Sequence, residues 1–173
     1  MTQTRQAPLP RFTPEQQPLI EAGLRLMEHP DTVQGYGSLV EVNATGEITG
    51  LCAIGCFCQA NPAHVTLVKY AEHGMDRSGS AGYAVHGQRP GLARASSLPI
   101  DFADRTGLQG SIEITCETLG DQSASLVRQV LPSFQPGWPT TLTHLNDSGK
   151  LTLPQIASVL RDLWTLPNEG QGQ

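Results

Sequence analysis

Apolar residues recur at helical spacing near both ends of the chain and alternate with polar ones in between. Ile20, Leu24 and Met27, flanked by Leu19 and Leu26, form one stripe of an amphipathic helix. Its start is written in Thr13-Pro14-Glu15-Gln16: a capping hydroxyl, a proline at the first helical position and a glutamine that can return a hydrogen bond. Pro30 stops the pattern. Thr152-Leu153-Pro154-Gln155 repeats the capping logic, and Ile156, Val159, Leu160 and Leu163 line a second helix. Over residues 33–50 the period falls to two, with Leu39, Glu41 and Asn43 on one face and Val40 and Val42 on the other. A hairpin turning between Asn43 and Gly46 accounts for this. Residues 51–60 carry no proline and no charge, and Leu51, Ala53, Ile54 and Phe57 suit a short buried helix that ends at Asn61-Pro62.

The middle of the chain is less periodic. Residues 65–71 and 82–86 can form strands, whereas 74–99 is rich in Gly, Ser, Arg and Pro and reads mainly as exposed loop. A helical turn is expected over 99–106, a half-buried strand over 111–117 and a helix over 121–131, followed by a rigid connector from Pro132 to Pro139. Trp138 and Trp164 flank apolar segments and are expected as core or lid residues. The implied fold is α+β: an N-terminal helix, a hairpin extended into a small antiparallel sheet, a buried central helix and C-terminal helices. Residues 1–12 read as a flexible arm, 13–166 as one domain with a variable middle over about 74–110, and 167–173 as a flexible tail.

Composition narrows the function classes. A chain of 173 residues buries roughly 69% of its unfolded surface on folding, so its core needs no metal or disulfide to sustain it. The net charge of −5 supplies no cationic field for a polyphosphate, which argues against nucleic acid as a partner. No apolar run is long enough to span a bilayer, and the N-terminus lacks the apolar centre of a signal peptide; a cytoplasmic protein is expected. Cys52, Cys56 and Cys58 fall within seven residues and Cys116 stands apart, a spacing that suits reduced thiols.

Two stretches carry a resemblance. Gln34-Gly35, the hairpin through Val42-Asn43-Ala44-Thr45-Gly46, the helix start Cys52-Ala53-Ile54-Gly55 and the late pair Asn146-Asp147 before the last helix follow one another in order. This series resembles an uncharacterised family of small bacterial and phage-encoded proteins with a Gln-Gly pair, a Cys-x-x-Gly helix start and a late Asn-Asp pair. The resemblance covers residues 19–60 and 141–163. It implies a shared fold around Gln34, Cys52, Asn146 and Asp147, and no substrate class.

The same residues allow a catalytic reading. A cysteine in the first turn of a helix has its thiolate stabilised by the helix dipole and free N–H groups. Gln34 would then donate to an oxyanion, and a histidine oriented by Asn146 or Asp147 would act as base, giving a cysteine-dependent hydrolase or transferase with Cys52 as nucleophile. His64, His73, His86 and His144 are the candidates for that base. The order matches papain-type hydrolases, although eighteen positions separate Gln34 from Cys52. The plainer alternative is a small buried Cys52 packed under the hairpin. Metal is not expected: Cys58 lies about 200° round a helix from Cys56, so the thiols diverge. A calcium loop laid on 144–155 begins with His144 and ends with Gln155, which removes the charged oxygen ligands. No phosphate-loop fingerprint occurs, and no cofactor is expected.

The leading functional expectation is a non-catalytic accessory protein that binds a protein or small-molecule partner through the loop over 74–99. Arg77, Tyr83, His86, Arg89 and Arg94 are its candidate contacts, because long loops on rigid scaffolds usually carry recognition. A homodimer through the Trp138 region is a further possibility.

Overall fold

The computed structural model describes Leu9 and residues 11–70, 81–108 and 112–165. Both capping boxes are present. Thr13 N–H donates to Gln16 Oε1 at 3.0 Å, and Gln16 N–H donates to Thr13 Oγ1 at 3.4 Å, opening a turn that runs into α1 (Gln17–Glu28). Thr152 and Gln155 exchange the equivalent pair at 2.9 and 3.4 Å before the final helix, Leu153–Thr165. Between these two helices lies α2 (Ala53–Gln59), with Ala53, Ile54, Cys56, Phe57 and Cys58 all buried. Phe57 lies so close to Gly23 of α1 that any β-carbon there would enter its ring. Trp164 packs edge-on to Phe12 at 5.0 Å between centroids and lies 6.0 Å from Phe57. Leu9 and Phe12 are therefore core residues, and the arm expected over 1–12 is anchored at its far end. Residues 1–8, residue 10 and the expected tail over 167–173 lie outside the described residues.

The architecture is α+β, with the strands divided among three two-stranded antiparallel ladders rather than gathered in one sheet. β1 (Val40–Val42) pairs with β2 (Ile48–Leu51), β3 (Val65–Lys69) with β4 (Ala81–Val85), and β5 (Glu113–Ile114) with β6 (Thr140–Thr141). The first hairpin turns as expected: Asn43 Oδ1 accepts the N–H groups of Thr45 and Glu47 at 3.0 and 2.9 Å, and Gly46 adopts φ +78°. It cannot grow further, because Cys52 starts α2 immediately after Leu51 and turns the chain away. The strand expected over 111–117 stops at Ile114. Thr115 and Thr118 exchange backbone-to-hydroxyl bonds that wind Cys116–Thr118 into a 3-10 turn.

α3 (Ile100–Thr106) and α4 (Asp121–Val130) fall where periodicity places them. α5 (Leu142–Asp147) was not foreshadowed: the Asn146-Asp147 pair lies on a helix capped by Thr141 Oγ1 at 3.2 Å from His144 N–H. The final helix is thus α6 (Leu153–Thr165). It is clamped to α1 by Arg161, which reaches Glu21 at 2.8 Å and Glu28 at 2.7 Å. Trp138 departs from expectation as well. It stands on a tight turn closed by its N–H to Gln135 O, where Gly137 takes φ +78°, and is 65% exposed, while Trp164 is 1% exposed. Among the described residues no helix is long and apolar enough to cross a membrane.

Candidate functional site

Three separate stretches meet at the start of α2. Residues 33–35 run beside the end of β2, with Leu51 N–H donating to Val33 O and Gly35 N–H to Leu51 O, both at 2.9 Å. α5 packs against α2 from the other side and brings Asn146 into contact with both. Asn146 is 1% exposed, so each of its polar atoms needs a partner. Its Oδ1 accepts Ala53 N–H at 3.0 Å and Gln34 Nε2 at 3.4 Å. Its Nδ2 donates to Gly35 O at 2.9 Å and to Asp147 Oδ1 at 3.0 Å. Two acceptor and two donor positions are all an amide offers. Gln34 Nε2 also donates to Leu151 O at 3.1 Å, so its amide hydrogens are directed into the protein rather than toward a reacting oxygen.

Cys52 is the N-cap of α2, one position before the first helical residue. Its Sγ accepts Gly55 N–H at 3.3 Å, and its own N–H donates to Leu39 O at 3.2 Å. Gly55 must lack a side chain, since a β-carbon there would land on that same Leu39 carbonyl. Burial raises the Cys52 thiol and outweighs the stabilising helix N–H groups; with Asp147 adding a like-charge contribution, its pKa is pushed up to about 11. Cys56 and Cys58 are raised further by burial. These three thiols are free and buried, and Cys116 is free and half-buried. The first-turn thiolate expected from the sequence is therefore opposed by desolvation, a term legible only once the packing is known.

A cavity of about 70 Å³ opens over this junction, its lining made of apolar Leu39, Cys52, Ile54 and Leu142 and of polar residues that include Ser38, Ser96, Thr143 and Asp147. Asp147 is exposed at the rim. Its Oδ1 accepts Gly37 N–H at 3.1 Å in addition to Asn146 Nδ2, and Gly37 presents that N–H with φ +72°. Among the described residues Asp147 Oδ2 has no hydrogen-bond partner. Ser38, Ser96 and Thr143 had no distinguishing signal in the sequence; Leu39 ties the segments of the first two to α2, its N–H donating to Ala95 O at 2.6 Å and its C=O accepting Cys52 N–H, and α5 contributes Thr143. Larger grooves flank α1, but they are shallow and hold none of the candidate site residues.

Gln34, Cys52, Asn146 and Asp147 thus converge, while the remaining candidates lie elsewhere. None of the cavity-lining residues is a histidine. His144 turns toward Thr140, at 3.4 Å, beside Phe134 and Trp138. His86 is exposed with Nε2 at 2.8 Å from Pro62 O, and His64 immediately precedes β3. Tyr83 is a core residue of β4 whose hydroxyl donates to Gln59 Oε1 at 2.8 Å, so it presents no surface to a ligand. Arg89 and Arg94 are exposed, with Arg94 paired through its backbone to Tyr83. Arg77 and His73 lie outside the described residues. No group of three or more His, Cys, Asp or Glu side chains among the described residues is arranged to hold a metal ion. Comparison with known proteins finds no matching family model, no similar curated protein and no similar solved structure.

Proposed function

We propose that this chain is a small, non-catalytic binding module that takes its ligand in the cavity at the start of α2, and that it belongs with the bacterial and phage-encoded proteins it resembles. One observation carries the reading. Gln34 Nε2, Cys52 Sγ and the Asn146 amide are engaged in bonds that hold three chain segments together, and the carboxylate oxygen without a hydrogen-bond partner among the described residues is Asp147 Oδ2. A nucleophile needs an available thiolate and a base within reach. Here the thiol caps a helix and is raised by burial, and the nearby amide donors are occupied. Ser96, near the end of the 74–99 stretch, lines the cavity, while Tyr83, His86, Arg89 and Arg94 do not. Free, buried thiols suit a reducing compartment, in keeping with a cytoplasmic location.

The test is an amide NMR titration with four-carbon fragments of three kinds: a cation, an anion and a neutral alcohol. At about 10 mM a millimolar Kd approaches saturation. The reading expects at least one fragment to shift the Gly37 backbone amide and the Asn146 side-chain amide. Signals at both positions unmoved by all three kinds would overturn it.

A further inference from the structure

Resting on that reading, the lining defines a ligand class. We infer that the cavity takes the end of an aliphatic chain carrying a primary ammonium, held by Asp147 Oδ2, with the stem against Leu39, Ile54 and Leu142.

Size comes first. About 70 Å³ is the room of two or three waters at ~30 Å³ each, well below the roughly 300 Å³ at which pockets begin to enclose whole drug-sized molecules. The cavity therefore receives the tip of a chain. Leu39, Ile54 and Leu142 are each 5% exposed or less, which gives such a tip an apolar sleeve.

Polarity comes second. Ser38 Oγ donates its hydrogen to Val40 O at 3.2 Å, so toward any other group it offers lone pairs. The Asp147 carboxylate offers acceptor oxygens. The fixed groups thus ask for a donor, and an ammonium has three donors and no acceptor. The chain's net charge of −5 also favours approach of a cation.

The form of the cation follows from what Asp147 has already given away. A guanidinium is recognised by a carboxylate through two parallel bonds that use both oxygens. Asp147 Oδ1 is filled by Gly37 N–H and Asn146 Nδ2, which leaves one oxygen for a ligand. That geometry suits a point charge and forfeits the second bond of a planar fork. An ammonium of this kind comes either from a free alkylamine or from a lysine side chain of a partner.

The experiment titrates the full chain with n-butylammonium, n-butylguanidinium, butyrate, butanol and a lysine-containing tripeptide blocked at both ends, reading the Gly37 and Asn146 amide signals. An ammonium probe is expected to bind, and n-butylguanidinium to bind about tenfold or more weakly, the worth of one charge-assisted hydrogen bond. Asp147→Asn, which keeps an acceptor for Gly37, is expected to reduce ammonium binding by about the same factor. Tighter binding of the tripeptide assigns the source to a partner's lysine, and tighter binding of n-butylammonium to a free amine. Guanidinium, butyrate or butanol binding as well as ammonium, or undiminished ammonium binding by a folded Asp147→Asn variant, would overturn the inference while leaving the cavity a binding site. Silence from every probe removes both.

Discussion

Asn146 Oδ1 accepts the backbone N–H of Ala53 at 3.0 Å, so the first turn of α2 is capped by a side chain 93 positions further along the chain. The same amide donates to Gly35 O at 2.9 Å. Asn146→Ala leaves a buried donor and a buried acceptor without partners, each costing about 1–3 kcal/mol. A loss of about 2–4 kcal/mol is expected in urea unfolding. Asp147→Asn, whose side chain is exposed, is expected to stay within about 1 kcal/mol of the parent. Equal losses for the two would contradict the division of labour between them.

Gly55→Ala tests the approach of α2 to the hairpin. The added β-carbon meets the Leu39 carbonyl, a backbone atom already bonded to Cys52 N–H, and neither partner can rotate away. Overpacking of this kind typically costs about 1–3 kcal/mol, and a backbone target places the change at or above the upper end. Thermal unfolding should show it plainly. An unchanged midpoint would mean that α2 does not sit against Leu39 as described.

What the sequence made legible was local. The capping boxes at Thr13 and Thr152 and the turn at Asn43 to Gly46 each act over three or four residues, and each formed as expected. α5 escaped because six residues are too few to establish a 3.6-residue period, and Asn146-Asp147 is also sound turn chemistry. The division into three ladders depends on how α2 and the 3-10 turn at Cys116 interrupt the strands, which alternation alone does not reveal. Gln34, Cys52, Asn146 and Asp147, singled out together in the sequence, lie together in the structure. The contacts they make were not legible, since the bond from Gln34 to Leu151 spans 117 positions and the desolvation of Cys52 depends on everything packed around it.

Arg161 predicts a pH dependence. Burial raises the Glu21 carboxyl, but hydrogen bonds from Arg161 and Arg25 outweigh it, so its folded pKa lies below the ordinary 4.5. A depressed carboxylate contributes stability that is complete above the unfolded value and is lost as pH falls through the folded one. Arg161→Met is therefore expected to cost about 1 kcal/mol at neutral pH and to flatten the loss of stability below about pH 4.5. Urea unfolding from neutral to acid pH checks this. Parallel acid limbs for variant and parent would count against the clamp.

The two tryptophans should behave oppositely. Trp164 is enclosed by Phe12 and Phe57, and its replacement by Ala should cost about 3–5 kcal/mol. Trp138→Ala should change stability by no more than about 0.5 kcal/mol. Acrylamide quenching gives an independent reading, with Trp138 the accessible emitter. Protection of both indoles from acrylamide would indicate that the Trp138 turn is covered in solution.

The central claim is that Cys52 serves as a helix cap and cavity wall. Its most direct test is the alkylation rate of Cys52 in the folded protein, followed by peptide mapping as pH rises from about 6 to about 9.5, a window that brackets the ordinary thiol pKa of ~8.5. With the thiol pushed up to about 11, the rate should stay slow at neutral pH and climb without levelling across the window. A fast reaction that levels off below about pH 8.5 would identify an activated thiolate and contradict the account.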